Sequence, residues 1–144
     1  MKAIVYAITI TALVMLASFA QAGETVVVIV NSANKQEITQ LDIKSIYSDI
    51  VTNWRSGQRI NLYNLPLHDT ARETFSRKIF SLSAREVAQQ ESNRKITNTI
   101  KNPSQTKKAR SVAFYVARDK RAVGYIPKSL LSDIEGVRVV LEIP

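Results

Sequence analysis

The segment Asp69-Thr70-Ala71-Arg72 is where residue types and spacing in this 144-residue chain best suggest a chemistry. Asp69 or Thr70 can cap a helix beginning here, with Ala71, Phe75 and Ile79 at four-residue spacing on its inner face. The first N–H groups of a helix have no intrahelical acceptor and carry the positive end of its dipole, so an anion is stabilised there. Arg72 could add a two-point contact to such an anion. The plainer alternative is that Asp69 merely caps the helix while Arg72 lies in solvent, and the sequence leaves both open.

Other chemistries lack their residues. The single histidine, His68, stands beside Asp69, but no serine sits in a nucleophile-elbow sequence, so a turn histidine next to a helix cap is the simpler reading. Cysteine is absent and the acidic residues are spread singly, so no metal site is expected. The four glycines do not form a phosphate-cradling GxxxxGK loop. No cofactor and no enzymatic activity are expected.

Met1-Lys2, the apolar run Ala3 to Ala20 and the closing Ala20-Gln21-Ala22 have the layout of a secretory signal peptide over residues 1–22, cut after Ala22. A retained membrane helix is the alternative. Export to the periplasm is therefore expected, with residues 23–144 forming one domain. Those residues carry a formal charge of +7, which favours anionic partners: phosphate or another small oxyanion, an acidic glycan, an anionic membrane face or an acidic protein. Nucleic acid is not expected. The two basic runs, Lys107-Lys108-Ala109-Arg110 and Arg118-Asp119-Lys120-Arg121, are short enough to be a solvated helix face, and the role of Lys107 to Arg121 stays open.

The elements that must position these groups follow from local patterns. Glu24 to Val30 reads as a buried strand ending in the polar loop Asn31-Ser32-Ala33-Asn34. Thr39 and Asp42 make a capping pair for a helix whose Leu41, Ile43, Ile46, Tyr47 and Ile50 share a side. Arg59 to Asn64 alternates like a strand, and the Asp69 helix follows. Ser83 and Glu86 form a second capping box for a helix reaching about Asn93, and Arg94 to Ser104 reads as a long loop. A helix is expected from Gln105, with Ala109, Val112, Ala113 and Val116 inward. A strand at Ala122–Ile126, a helical turn at Lys128–Ser132 and a strand at Val137–Ile143 complete an α/β pattern.

Taken in order, Val26 to Asn31, Thr39 to Tyr47, Thr52-Asn53-Trp54 with Gly57, Thr70 to Phe75 and Val123 to Pro127 resemble the substrate-binding proteins of phosphate ABC transporters, the PstS-like group of type II periplasmic binding proteins. The resemblance covers nearly all of residues 23–144 but only one lobe of such a protein. It implies a single layered α/β domain, a central mixed sheet flanked by helices. It also implies phosphate or another oxyanion as ligand, a membrane transporter as partner, and a cleft face presenting Ser32, Asp69, Thr70, Ala71 and Arg72. Asp69-Thr70-Ala71 replaces the family's Ser-Gly-Thr turn, and Leu65 stands where an arginine is often found. A second reading follows from those departures: a non-enzymatic interaction or sensory accessory protein that has lost phosphate binding. In it the strand Val26–Val30, uncovered by loss of the other lobe, would be closed over by a homodimer or a membrane sensor.

Overall fold

The computed structural model describes residues 23–144, so the expected signal peptide lies outside the described residues. Strand β1 (Val26–Asn31) is a run of β-branched residues buried along its whole length. It lies between β4 (Ala122–Pro127) and β5 (Val137–Ile143), antiparallel to both. β2 (Asn61–Asn64) runs parallel to β4 and to the two-residue β3 (Gln105–Thr106), giving one mixed sheet in the order β3-β2-β4-β1-β5. The fold is α/β, as expected. The strand Val26–Val30 is not uncovered: every residue in it has 0% exposure, so the argument for a partner closing over it falls away.

Among the described residues the long free edge is β5 instead. Its register against β1 shifts between Val28 and Ile29, leaving Val140 without a partner residue, and its Glu142 forms an ion pair with Lys128 at 2.7 Å. A bulge and charges on an edge strand hinder pairing with a further strand.

Helices cover both faces. α1 (Gln40–Tyr47) starts at the Thr39–Asp42 capping box, and α2 (Thr70–Phe80) at Asp69. α3 (Ala84–Ile96) starts at the Ser83–Glu86 box, and α4 (Ala109–Arg118) follows β3. A 3-10 turn spans Lys128–Asp133. Tyr125 of β4 stacks on Phe75 of α2 with ring centroids 3.9 Å apart and meets Tyr47 of α1 edge-on. The next residue back, Gly124, faces the other way: a Cβ there would sit 2.4 Å from Val112 Cγ1 of α4. Alternation along one strand thus divides α1 and α2 from α4. Among the described residues no helix is long and apolar enough to cross a membrane.

Three local expectations differ. Ile43, Ile46 and Tyr47 are buried, but Leu41 and Ile50 are 71% and 73% exposed. Leu41 lies roughly 200° around the helix from Ile43, and Ile50 falls after the helix has ended. α3 runs on to Ile96, into the stretch expected as loop, and Gln105–Thr106 is a strand rather than a helix start. The remaining loop is tied down by Asp49, which sits at φ 65° and accepts the N–H groups of Lys101 and Asn102 at 2.7 Å each.

Candidate oxyanion site

Neighbouring strands β2 and β3 hand the chain to opposite faces: β2 leads into α2, which packs beside Tyr125, and β3 leads into α4, which packs on Gly124. Such a reversal leaves a crevice beyond the carboxyl ends of the two strands, the usual place for a ligand in an open α/β sheet. The first turn of α2 and the end of β3 border it.

The start of α2 is internally satisfied. The Asp69 carboxylate accepts the Ala71 N–H at 2.9 Å, and the Asp69 carbonyl accepts those of Arg72 and Glu73 at 3.0 and 3.3 Å. Of the first three N–H groups only that of Thr70 has no acceptor among the described residues. An anion placed directly on this turn would have to displace the capping carboxylate and face its charge.

Arg72 does not lie in solvent. It is 6% exposed, and its Nη1 donates to the Leu65 carbonyl at 2.9 Å. A guanidinium has five N–H groups, so this single bond leaves donors over. The side chain lines a cavity of about 220 Å³ between α2, α3 and β3, together with Glu91, Lys95, Ser104 and Thr106. Glu91 accepts the Ser104 hydroxyl at 2.9 Å and pairs with Lys95 at 3.2 Å. Two cations against one carboxylate leave the cavity with a net positive charge.

A buried polar scaffold fixes the segment that carries Arg72. The Tyr47 hydroxyl donates to the Tyr63 carbonyl at 2.6 Å. The Tyr125 hydroxyl donates to Asn64 Oδ1, and the Leu65 N–H is shared between that oxygen and the Tyr125 hydroxyl at 3.2 and 3.3 Å. Burial raises the pKa of both tyrosines above the ordinary value, so they remain proton donors at neutral pH. Leu65 itself is fully buried, so this position is apolar and its carbonyl is what it offers to Arg72.

Asp69, Thr70, Ala71 and Arg72 therefore share one turn, but Ser32 is elsewhere. β1 runs against its neighbour β4, and Val30 pairs with Val123 at the beginning of β4 while Val26 pairs with Pro127 at its end. Ser32, whose N–H donates to the Gly136 carbonyl at 2.9 Å, thus emerges at the opposite rim of the sheet. A six-residue strand, roughly 17 Å at ~3.3 Å per residue, separates the two rims. Sequence patterns do not single out Glu91, Lys95, Ser104 and Thr106: Glu91 falls on an expected helix with no partner in view, Lys95 and Ser104 on the stretch expected as loop, and Thr106 on an expected helix start that is a strand. The one available signal was the four-residue spacing of Glu91 and Lys95, which places both on one helix face. His68 is exposed in its turn, and among the described residues no group of three acidic or histidine side chains is placed to hold a metal.

No family model matches the chain, and no curated protein matches it in sequence. Solved structures share its fold. One is a Clostridium perfringens protein assigned as a phosphate ABC transporter substrate-binding protein, with bound phosphate (TM-score 0.63, 20% identity). Another is an ABC-type phosphate transport receptor from Vibrio cholerae (TM-score 0.61, 16% identity). A third is a Planctomyces limnophilus protein assigned as phosphate-binding (TM-score 0.60, 14% identity). Each match covers 81% of this chain but only 44%, 45% and 40% of the other, so the chain spans less than half their length. The chain has the α/β fold of a single lobe of phosphate-type substrate-binding proteins.

Proposed function

We propose that residues 23–144 form an exported, non-catalytic binding module for phosphate or a closely related oxyanion, acting beside a membrane transporter. The observation that carries this reading is Arg72, a buried guanidinium with donors to spare, aimed from the switch-point crevice into a small cavity of net positive charge. A buried arginine costs desolvation unless an anion or acceptors compensate it. At about 220 Å³ the cavity is below the ~300 Å³ where pockets for drug-sized organic ligands begin, and it suits a small tetrahedral anion. The neighbours described as phosphate-binding support the same ligand class, and the signal-peptide layout of residues 1–22 supports export.

Two features set the expected affinity. A single lobe leaves the crevice open to water on one side, which weakens each ionic contact. Asp69, three residues before Arg72, adds a repelling charge. A dissociation constant on the order of a millimolar is expected at low salt.

Isothermal titration of residues 23–144 with phosphate, and with sulfate for comparison, tests the proposal. Asp69→Ser keeps a good helix cap and removes the charge, so binding should tighten several-fold. Arg72→Lys keeps the charge but loses the planar fork, and should weaken binding about tenfold with the fold intact by circular dichroism. An absence of heat with either anion in both the parent and Asp69→Ser, or full binding in Arg72→Lys, would overturn the assignment.

A further inference from the structure

The outer face of α4 takes no part in the core or in the Arg72 cavity. Val112, Ala113 and Val116 of this helix are buried against the sheet. At about 100° per residue, the side opposite them is the line Arg110, Phe114 and Arg118, which spans roughly 80° of the helix. All three are exposed, Phe114 by 50%, and Tyr115 beside it is 39% exposed. Lys107 and Lys108 extend this face at the start of the helix, which contains no acidic residue.

The aromatic and cationic groups are held against one another. The Arg118 guanidinium lies 3.6 Å from the centre of the Phe114 ring, and Lys107 Nζ lies 5.7 Å from that of Tyr115. Tyr115 in turn stacks on Tyr63 of β2 at 5.5 Å and meets Phe114 edge-on at 5.6 Å. Among the described residues none of Lys107, Lys108, Arg110 and Arg118 forms an ion pair, and the adjacent Asp119 is already paired with Arg121 at 3.1 Å. α3 shows what an ordinary solvated face looks like in this protein. It mixes acids with bases and pairs Glu91 with Lys95.

We infer that the Arg110–Phe114–Arg118 ridge docks on the surface of an anionic phospholipid bilayer. The unpaired cations meet headgroup phosphates, and the half-exposed Phe114 enters the boundary between headgroups and acyl chains. A flat surface suits a convex helix ridge. An acidic peptide would instead lie in the groove of about 550 Å³ beside α4, whose other wall carries Asp133 and Glu135 and repels it. α4 and α2 cover opposite faces of the sheet, so docking through α4 leaves the Arg72 cavity uncovered. The inference stands whether or not that cavity binds phosphate.

Co-sedimentation of residues 23–144 with lipid vesicles checks it. Vesicles of phosphatidylglycerol and phosphatidylcholine in equal parts should bind the protein at low salt, phosphatidylcholine alone should not, and ~0.5 M salt should release it. Arg110→Ala with Arg118→Ala should weaken binding more than about tenfold, and Phe114→Ala should weaken it several-fold, each variant melting as the parent does. Lys44→Ala with Arg85→Ala removes the same charge from exposed positions on α1 and α3, and should cost less than about twofold. Arg72→Lys should leave binding unchanged. Three results would each sink the inference: no sedimentation with anionic vesicles, equal losses in the two double variants, or binding to soluble polyglutamate that matches the vesicles and ignores Phe114→Ala. The last is the pattern an acidic protein partner would give.

Discussion

Tyr125 joins the interior to the candidate oxyanion site through one oxygen atom. Its hydroxyl donates to Asn64 Oδ1 and also receives the Leu65 N–H, and the carbonyl of Leu65 in turn holds Arg72. Tyr125→Phe should preserve the ring stack on Phe75 but leave the buried Asn64 oxygen one donor short. A loss of about 1–3 kcal/mol is expected in urea unfolding, with m unchanged. Phosphate affinity should fall as well, because the Leu65 carbonyl that orients Arg72 loses its support. A variant weaker in stability but equal in binding would separate the scaffold from the site. Arg72 illustrates what sequence alone does not reveal at this scale. Its spacing to Asp69 identifies the helix start, but its inward course depends on a carbonyl seven residues back and on α3 closing over it, neither of which leaves a local signature.

Whether an element could be read from the sequence depended on how local its cause is. The boxes at Thr39–Asp42 and Ser83–Glu86 join groups three residues apart, and both are present where the sequence places them. β3 has two residues and exists only because Tyr63 and Asn64 are beside it. Strand direction is equally non-local, so the resemblance groups Ser32 with Thr70 although the reversed course of β1 sends Ser32 to the far rim. Packing between elements is sharpest where Gly124 lets α4 approach the sheet. Gly124→Ala would drive a methyl into Val112, at a cost of about 1–3 kcal/mol. Combined with Val112→Ala, which makes room, it should cost less than the sum of the two single changes in thermal melts. Strict additivity would show that the contact does not limit this packing.

Over the whole molecule, the titrating groups define a stability window. The carboxyls of Asp42, Glu73 and Glu86 are held below their ordinary range by the backbone N–H groups of Thr39, Ala84 and Ser83. Groups with depressed folded pKa values stabilise the protein above their unfolded values of 3.8 and 4.5, and that contribution is lost as pH falls through the lowered ones. These carboxyls are exposed, so the acid limb should be shallow. Tyr47 and Tyr125 act in the opposite direction. Burial raises their folded pKa values above 10.0, so their contribution is complete below that pH and declines as it rises further. Melting temperature should be flat from about pH 5 to 9 and fall more steeply on the alkaline side. A profile that falls only in acid would show that the hydroxyls of Tyr47 and Tyr125 are not protected from ionisation.

The placement of β1 between β4 and β5 governs how the chain can be assembled. Its neighbours are drawn from Ala122–Pro127 and Val137–Ile143, roughly a hundred residues later in synthesis. The first strand to emerge therefore has no mate until nearly everything else has been made, and pairing so distant in sequence is slow. A nascent chain built this way cannot close its sheet until β5 has been made, so a chain cut short before Val137 would leave β1 with only one of its two neighbours.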